Sequence, residues 1–233
     1  MTVSFEFPAL IPYPDSTPVV LQADDICLRW VMPEMFHDLP IYVQDDDEAV
    51  RLLEELVDKV LPGADYDAKT KFGVMCALAL GELPAAGVEH AAICLTVDDG
   101  IPCIATFSIN LVDSPDSAGI SDVVKEISSS LRRTRAGEVS VIELPCGTAV
   151  SCIGSRAASI SGDMMGTDAD VALPTSFIRV CVPLPNGTAA VVELSTPTES
   201  GWDMFSTMFA NIVSSIRLFH ADGSPLITSQ AEA

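Results

Sequence analysis

Apolar side chains recur at Val50, Leu53, Val57 and Val60, widened by Leu52 and Leu56, directly behind the acidic run Asp45-Asp46-Asp47-Glu48 and ahead of Pro62-Gly63. Steps of three and four place them on one face, so the segment is predicted to be an amphipathic helix. Carboxylates at its first turn cap free N–H groups and meet the positive end of the helix dipole, which accounts for the acidic run without a metal. A second helix is predicted over about residues 67–80, where Phe72 to Leu80 is apolar nearly all round. That pattern predicts deeper burial for the second helix than for the first. Ile120, Val123, Val124, Ile127 and Leu131 predict a third helix over about 120–135, with Gly137 at the stop position. The last helix is predicted behind Thr196-Pro197-Thr198-Glu199, a capping box with proline at the first helical position. Trp202, Phe205, Phe209, Ile212, Ile216 and Phe219 form its apolar face.

Strands come from alternation. Residues 89–97 and 101–111 alternate around Asp98-Asp99-Gly100, with Thr106, Ser108 and Asn110 lining a wetter face. Further strands are predicted at 138–144 and 147–156, and at 176–184 and 188–195 around Asn186-Gly187. Short strands are expected at 19–22 and 28–32, and residues 158–175, rich in Gly and Asp, read as a long exposed loop. Four prolines within residues 1–18 predict an extended arm, followed by one α+β domain over 19–220 and a polar tail over 221–233. Hairpin-linked strands with segregated helices argue for an antiparallel β-sheet covered by helices rather than a doubly wound sheet.

Composition narrows the function classes. The 233 residues carry 33 Asp and Glu against 12 Lys and Arg, a formal net charge of −21. Such a field repels phosphate backbones and anionic lipid surfaces, which argues against nucleic-acid and membrane partners. Residues 1–100 hold 19 of the acids and 5 of the bases, so the first half carries most of the charge. A mean hydropathy of +0.37 supports a sizeable core. No apolar run approaches the roughly 18 residues of a membrane span, and the first residues carry no signal-peptide pattern, so a cytoplasmic protein is expected. Seven cysteines without a CxxC pair read as reduced core thiols, with a Cys152–Cys181 bridge across strands as the alternative.

Candidate chemistry is sparse. Neither GxGxxG nor GxxxxGK[ST] occurs, and Gly154-Ser155-Arg156 lacks the second glycine of a nucleophile elbow. His37, His90 and His220 are too scattered for a zinc motif, and Asp24-Asp25, Asp45 to Glu48, Asp98-Asp99 and Asp163 to Asp170 do not fit a calcium loop. Arg132, Arg133 and Arg135 gather a quarter of the basic residues at one helix end, where they complement the dipole or offer an anion site. Trp202, Met204, Phe205, Met208 and Phe209 form a band that is core if covered and a protein-binding groove if exposed. No catalytic residue, metal ligand or cofactor is assigned.

Phe177 to Gly187, then Ala190 to Pro197, then Trp202, Phe205, Phe209 and Ser214-Ser215-Ile216-Arg217, resemble the end of PsbP-like domains and of the LpqN-like proteins of actinobacteria. The Ala-rich, Lys-poor usage is similar to actinobacterial proteins. The resemblance spans about 45 residues and implies an α/β/α sandwich used mainly as a non-catalytic adaptor for other proteins. The lipoprotein members carry an N-terminal lipid signal that these residues lack. The expected function is therefore an intracellular, non-enzymatic accessory protein, adaptor or chaperone-like, offering an acidic face to a basic or amphipathic protein partner. The alternatives are a homo-oligomeric structural subunit and a small hydrolase assembled from dispersed residues such as Cys146, His90 and the acidic pairs.

Overall fold

The computed structural model describes residues 16–43, 45–115, 119–160, 169 and 171–226. The elements run β1 (Ser16–Ala23), β2 (Ile26–Pro33), β3 (Phe36–Asp38), α1 (Asp46–Val60), α2 (Tyr66–Glu82), β4 (Val88–Asp98), β5 (Ile101–Asp113), α3 (Ile120–Arg133), β6 (Glu138–Leu144), β7 (Gly147–Ile160), β8 (Val171–Pro183), β9 (Thr188–Thr196), a 3-10 turn (Glu199–Gly201), α4 (Trp202–Ser215) and β10 (Arg217–His220). Seven strands form one sheet in the order β3-β4-β5-β9-β8-β7-β6, and β1-β2-β10 form a second. Every strand pair is antiparallel. The class is α+β, an antiparallel sheet covered by helices.

Local chemistry sets several element ends. Asp45 Oδ1 accepts the Glu48 N–H at 3.0 Å and Asp65 Oδ1 accepts the Ala68 N–H at 2.8 Å, so both acidic N-caps satisfy a free helix donor. Asp99 and Gly100 both take positive φ, 48° and 81°, which turns β4 tightly into β5. In the β8–β9 turn, Gly187 sits at φ 83° and the Asn186 amide donates to Ala23 O at 3.1 Å, tying this hairpin to the small sheet.

One face of the large sheet supplies the core. Phe107, Ile109, Ala105, Cys103, Ala92, Cys94, Leu194 and Val192 are fully enclosed there. The α4 residues Phe205, Met208, Phe209, Ile212 and Val213, with Leu28 and Trp30 of the small sheet, belong to the same apolar cluster. The band at the start of α4 is thus core. The opposite, outer face carries two separate clusters. Val124, Ile127 and Leu131 of α3 cover Val150, Cys181, Val139 and Val191, while α1 and α2 cover Ile93, Leu95 and Ile104 through Leu56, Val60, Phe72 and Cys76.

Several expectations are corrected. The predicted loop 158–175 is partly strand: β7 continues to Ile160 and β8 starts at Val171, paired from Ala157↔Pro174 to Ile160↔Val171, and residues 161–168 and 170 lie outside the described residues. The last helix begins at Trp202 and ends at Ser215. Thr196 caps nothing; its hydroxyl donates to Ile104 O at 2.6 Å and accepts the Thr198 N–H at 3.0 Å, forming a local turn. Ile216 and Phe219 keep the helical spacing but belong to the exit into β10, which pairs with β2. Residues 221–226 double back, with Leu226 N–H donating to Leu218 O at 2.9 Å. Residues 1–15 of the expected arm lie outside the described residues; Thr17 and Pro18 already belong to β1, an edge strand where a missing N–H is tolerated. Strand β4 is buried on both faces, Ala92 and Cys94 inward with Phe107, Ile93 and Leu95 towards the helices.

Phe107 holds the inner face together, with ring centroids of Trp30, Phe36, His90 and Phe209 between 6.1 and 6.5 Å away. Truncating it, Phe107→Ala, is expected to lower unfolding stability by about 3–5 kcal/mol, read from urea midpoints at constant m-value.

Candidate functional site

The largest departure from the hydrophobic pattern is α2. Its covered stripe comprises Phe72, Gly73, Cys76 and Leu80, and only Cys76 is fully buried. The expectation that α2 is the more buried of the pair is therefore wrong, because α1 buries Leu56, Val57 and Val60. An apolar helix covered on one stripe leaves the rest in water: Val74 is 53%, Leu78 49% and Met75 48% exposed.

Beside that face, α1 and α2 enclose a groove of about 460 Å³ lined by Val50, Leu53, Val57, Tyr66, Val74 and Ala77, with Glu54 and Asp58 on its rim. Gly73 faces Val57 across the helix pair, where a Cβ would stand in ordinary contact, 3.5 Å from Val57 Cγ2. Lys69 Nζ crosses the helix pair to Asp58 Oδ1 at 2.7 Å. Residues 45–82 carry ten acidic against four basic side chains. Of those bases, Lys69 is engaged by Asp58, and Arg51 by Glu48 and Glu55. The result is an apolar groove and helix face bordered by excess negative charge.

The residues considered for catalysis are not brought together. Cys146 lies in the β6–β7 turn with Arg217 near it, whereas His90 lies on β4 against Trp30, at 5.3 Å between ring centroids, and Asp38. Burial pushes the thiols up, Cys94 to about 12 and Cys76, Cys146 and Cys181 to about 11, which keeps them protonated and unreactive at neutral pH. All seven cysteines are free and buried. Cys152 pairs in register with Arg179 and Cys181 with Val150, so the alternative bridge does not form. Arg132, in the last turn of α3, donates to Val139 O at 3.3 Å and so ties the helix end to β6. Among the described residues no three His, Cys, Asp or Glu side chains cluster as metal ligands would.

A second cavity, about 470 Å³, opens between α1 and the β2–β3 corner, with Glu34, His37, Asp38, Glu55 and Lys59 among its walls. Burial and the nearby Lys59 charge hold the His37 pKa below its ordinary value against the opposing pull of Asp38. Among the described residues no helix is long and apolar enough to cross a membrane.

No family model matches the chain, and no curated protein does. Among solved structures, the chain is similar to the Ran-binding protein Mog1p of Saccharomyces cerevisiae, at 12% identity and a TM-score of 0.39, over 87% of this chain and 94% of that one.

His90 yields a pH prediction. Its Nε2 is buried and lies 3.4 Å from Asp38 Oδ1 without a hydrogen bond. Burial lowers its pKa from 6.5, outweighing the opposite effect of Asp38. In the unfolded chain the imidazole regains its ordinary pKa, so below 6.5 the unfolded state binds the proton first and stability falls with falling pH. The loss is limited to about 1.4 kcal/mol per pH unit for this one group. Thermal melts from about pH 7 to about pH 5 are expected to show a shallower decline for His90→Gln than for the native chain.

Proposed function

We propose that the protein is a non-enzymatic binding module whose α1–α2 face receives a basic amphipathic helix of a protein partner. The observation that carries this reading is the exposed apolar face of α2, continuous with the α1–α2 groove and bordered by acidic side chains. A helix laid in such a groove buries apolar anchors at steps of three and four, while its flanking Lys and Arg meet the acidic rim. Self-association through the same face is disfavoured, since it would bring together two copies of a patch with ten acids against four bases. The raised thiol pKa values and the separation of His90 from Cys146 support a binding role over a hydrolytic one.

The test is fluorescence anisotropy with two synthetic peptides of about five helical turns that share a Leu stripe and differ only in carrying Lys or Glu on the polar face. The Lys peptide is expected to bind, more weakly as salt rises, and the Glu peptide to bind at least about tenfold more weakly. Val74→Asp and Leu78→Asp are each expected to weaken the Lys peptide by about tenfold or more with unchanged melting, because both side chains already face water. Equal binding of the two peptides, or indifference to both substitutions, would overturn the proposal.

A further inference from the structure

Further along the same outer face lies a second constellation that the binding face does not use. Among the described residues no helix covers the outer face between the α3 cluster and the α1–α2 cluster: Thr106 is exposed, and Ser108, Asn110 and Ser195 are half-buried. Next to that strip, Glu193 is 9% exposed, a carboxylate set into a strand of otherwise small and apolar residues. Two guanidiniums meet it. Arg179, opposite Glu193 in register, donates to Oε2 from Nε at 2.8 Å and Nη2 at 2.6 Å, and Arg156 donates to Oε1 from Nη2.

The arginines are fixed from below as well. The Phe177 ring lies 5.2 Å from the Arg156 guanidinium carbon and 5.6 Å from that of Arg179. Gly154 makes room for the ring: a Cβ there would stand 2.4 Å from Ala136 O and 3.0 Å from Phe177 Cζ. Both guanidiniums stay in reach of solvent, with side chains 45% exposed for Arg156 and 31% for Arg179. One carboxylate cannot saturate two forks of five N–H groups each, and the cluster keeps a charge of about +1 in an acidic chain. The Thr106 and Ser195 hydroxyls, 2.8 Å apart, border the same face.

Stability alone gives a poor reason for this arrangement. Setting the Glu193 carboxylate into the sheet carries a desolvation cost that its two half-exposed arginines only offset, and neighbouring positions on this face are filled by Cys181 and Val191. We infer that Arg156 and Arg179 form a binding site for an oxoanion, a carboxylate or a phosphate group, on the open strip between α3 and the α1–α2 pair. Glu193 is the positioning residue: it holds both planar forks in place, so the ligand does not have to order two long side chains on arrival. The N–H groups of the forks that Glu193 does not engage take the oxygens, and the Ser195 and Thr106 hydroxyls supply further donors.

The experiment is a two-dimensional NMR titration of the arginine Nε–Hε resonances with inorganic phosphate and, separately, with acetate. Saturable shifts at Arg156 and Arg179 with either anion support the site, and the anion that saturates at the lower concentration identifies the group it takes. Arg156→Lys retains the charge and the ion pair but loses the fork; it is expected to weaken binding about tenfold or more with an unchanged melting temperature. Arg133→Gln removes the same charge at the end of α3 and is expected to leave the titration unchanged. Shifts that stay linear for both anions, or an equal loss in Arg133→Gln, would overturn the inference, since either outcome reduces the effect to general screening.

Discussion

The exclusion of water from the inner face of the seven-stranded sheet is the constraint on which the rest of the structure depends. Helix α4 meets it by wedging Phe205, Phe209 and Ile212 between that face and the small sheet, with Trp30 and Phe107 closing the gap. The connection from β9 follows from this demand. A 3-10 turn brings Gly201 so close to Cys103 that a Cβ there would stand 3.1 Å from its Sγ, and α4 then runs directly into β10. The hydrogen bonds of Thr196 to Ile104 O and to Thr198 N–H fix the start of that path.

With the inner face closed, the three other helices are left for the outer one, and they do not cover it completely. Helix α3 covers β6 to β8 and the α1–α2 pair covers β3 to β5, so the middle strip keeps its hydroxyls and its Arg–Glu–Arg cluster in reach of water. The same shortage explains α2. It packs by one stripe on α1 and the sheet, and nothing among the described residues lies over Val74, Met75 and Leu78. Both candidate sites therefore arise from incomplete coverage of one face, the first apolar and acid-bordered, the second cationic.

Features of the sequence that act over a few residues were legible. The acidic cap Asp45, the Asp99-Gly100 and Asn186-Gly187 turns and the alternation of β5 each encode their own geometry; the Asp65 cap of α2 is a structural finding, since the sequence pattern predicts a start at about Asp67. What failed was decided by distant partners. The three residues of β3 gain strand geometry only by pairing with Ala92 to Cys94. Ile216 and Phe219 continue a helical period by chance, and pairing with β2 overrides it. The apolar sequence of α2 predicts burial, although apolarity reports only what a helix can bury. Glu193 within Val191-Val192-Glu193-Leu194 and Arg179 within Ile178-Arg179-Val180 were visible as charges inside strands, but their meeting is set by the register between β8 and β9.

The central claim is that the outer face of α1 and α2 is where a partner docks. Amide hydrogen exchange followed by mass spectrometry, on the full chain with and without the Lys-bearing amphipathic peptide, tests it most directly. The account predicts saturable slowing confined to Asp46–Glu82, with β5, β9 and α4 unchanged. Slowing centred on any other element, or none at saturating peptide, would contradict it.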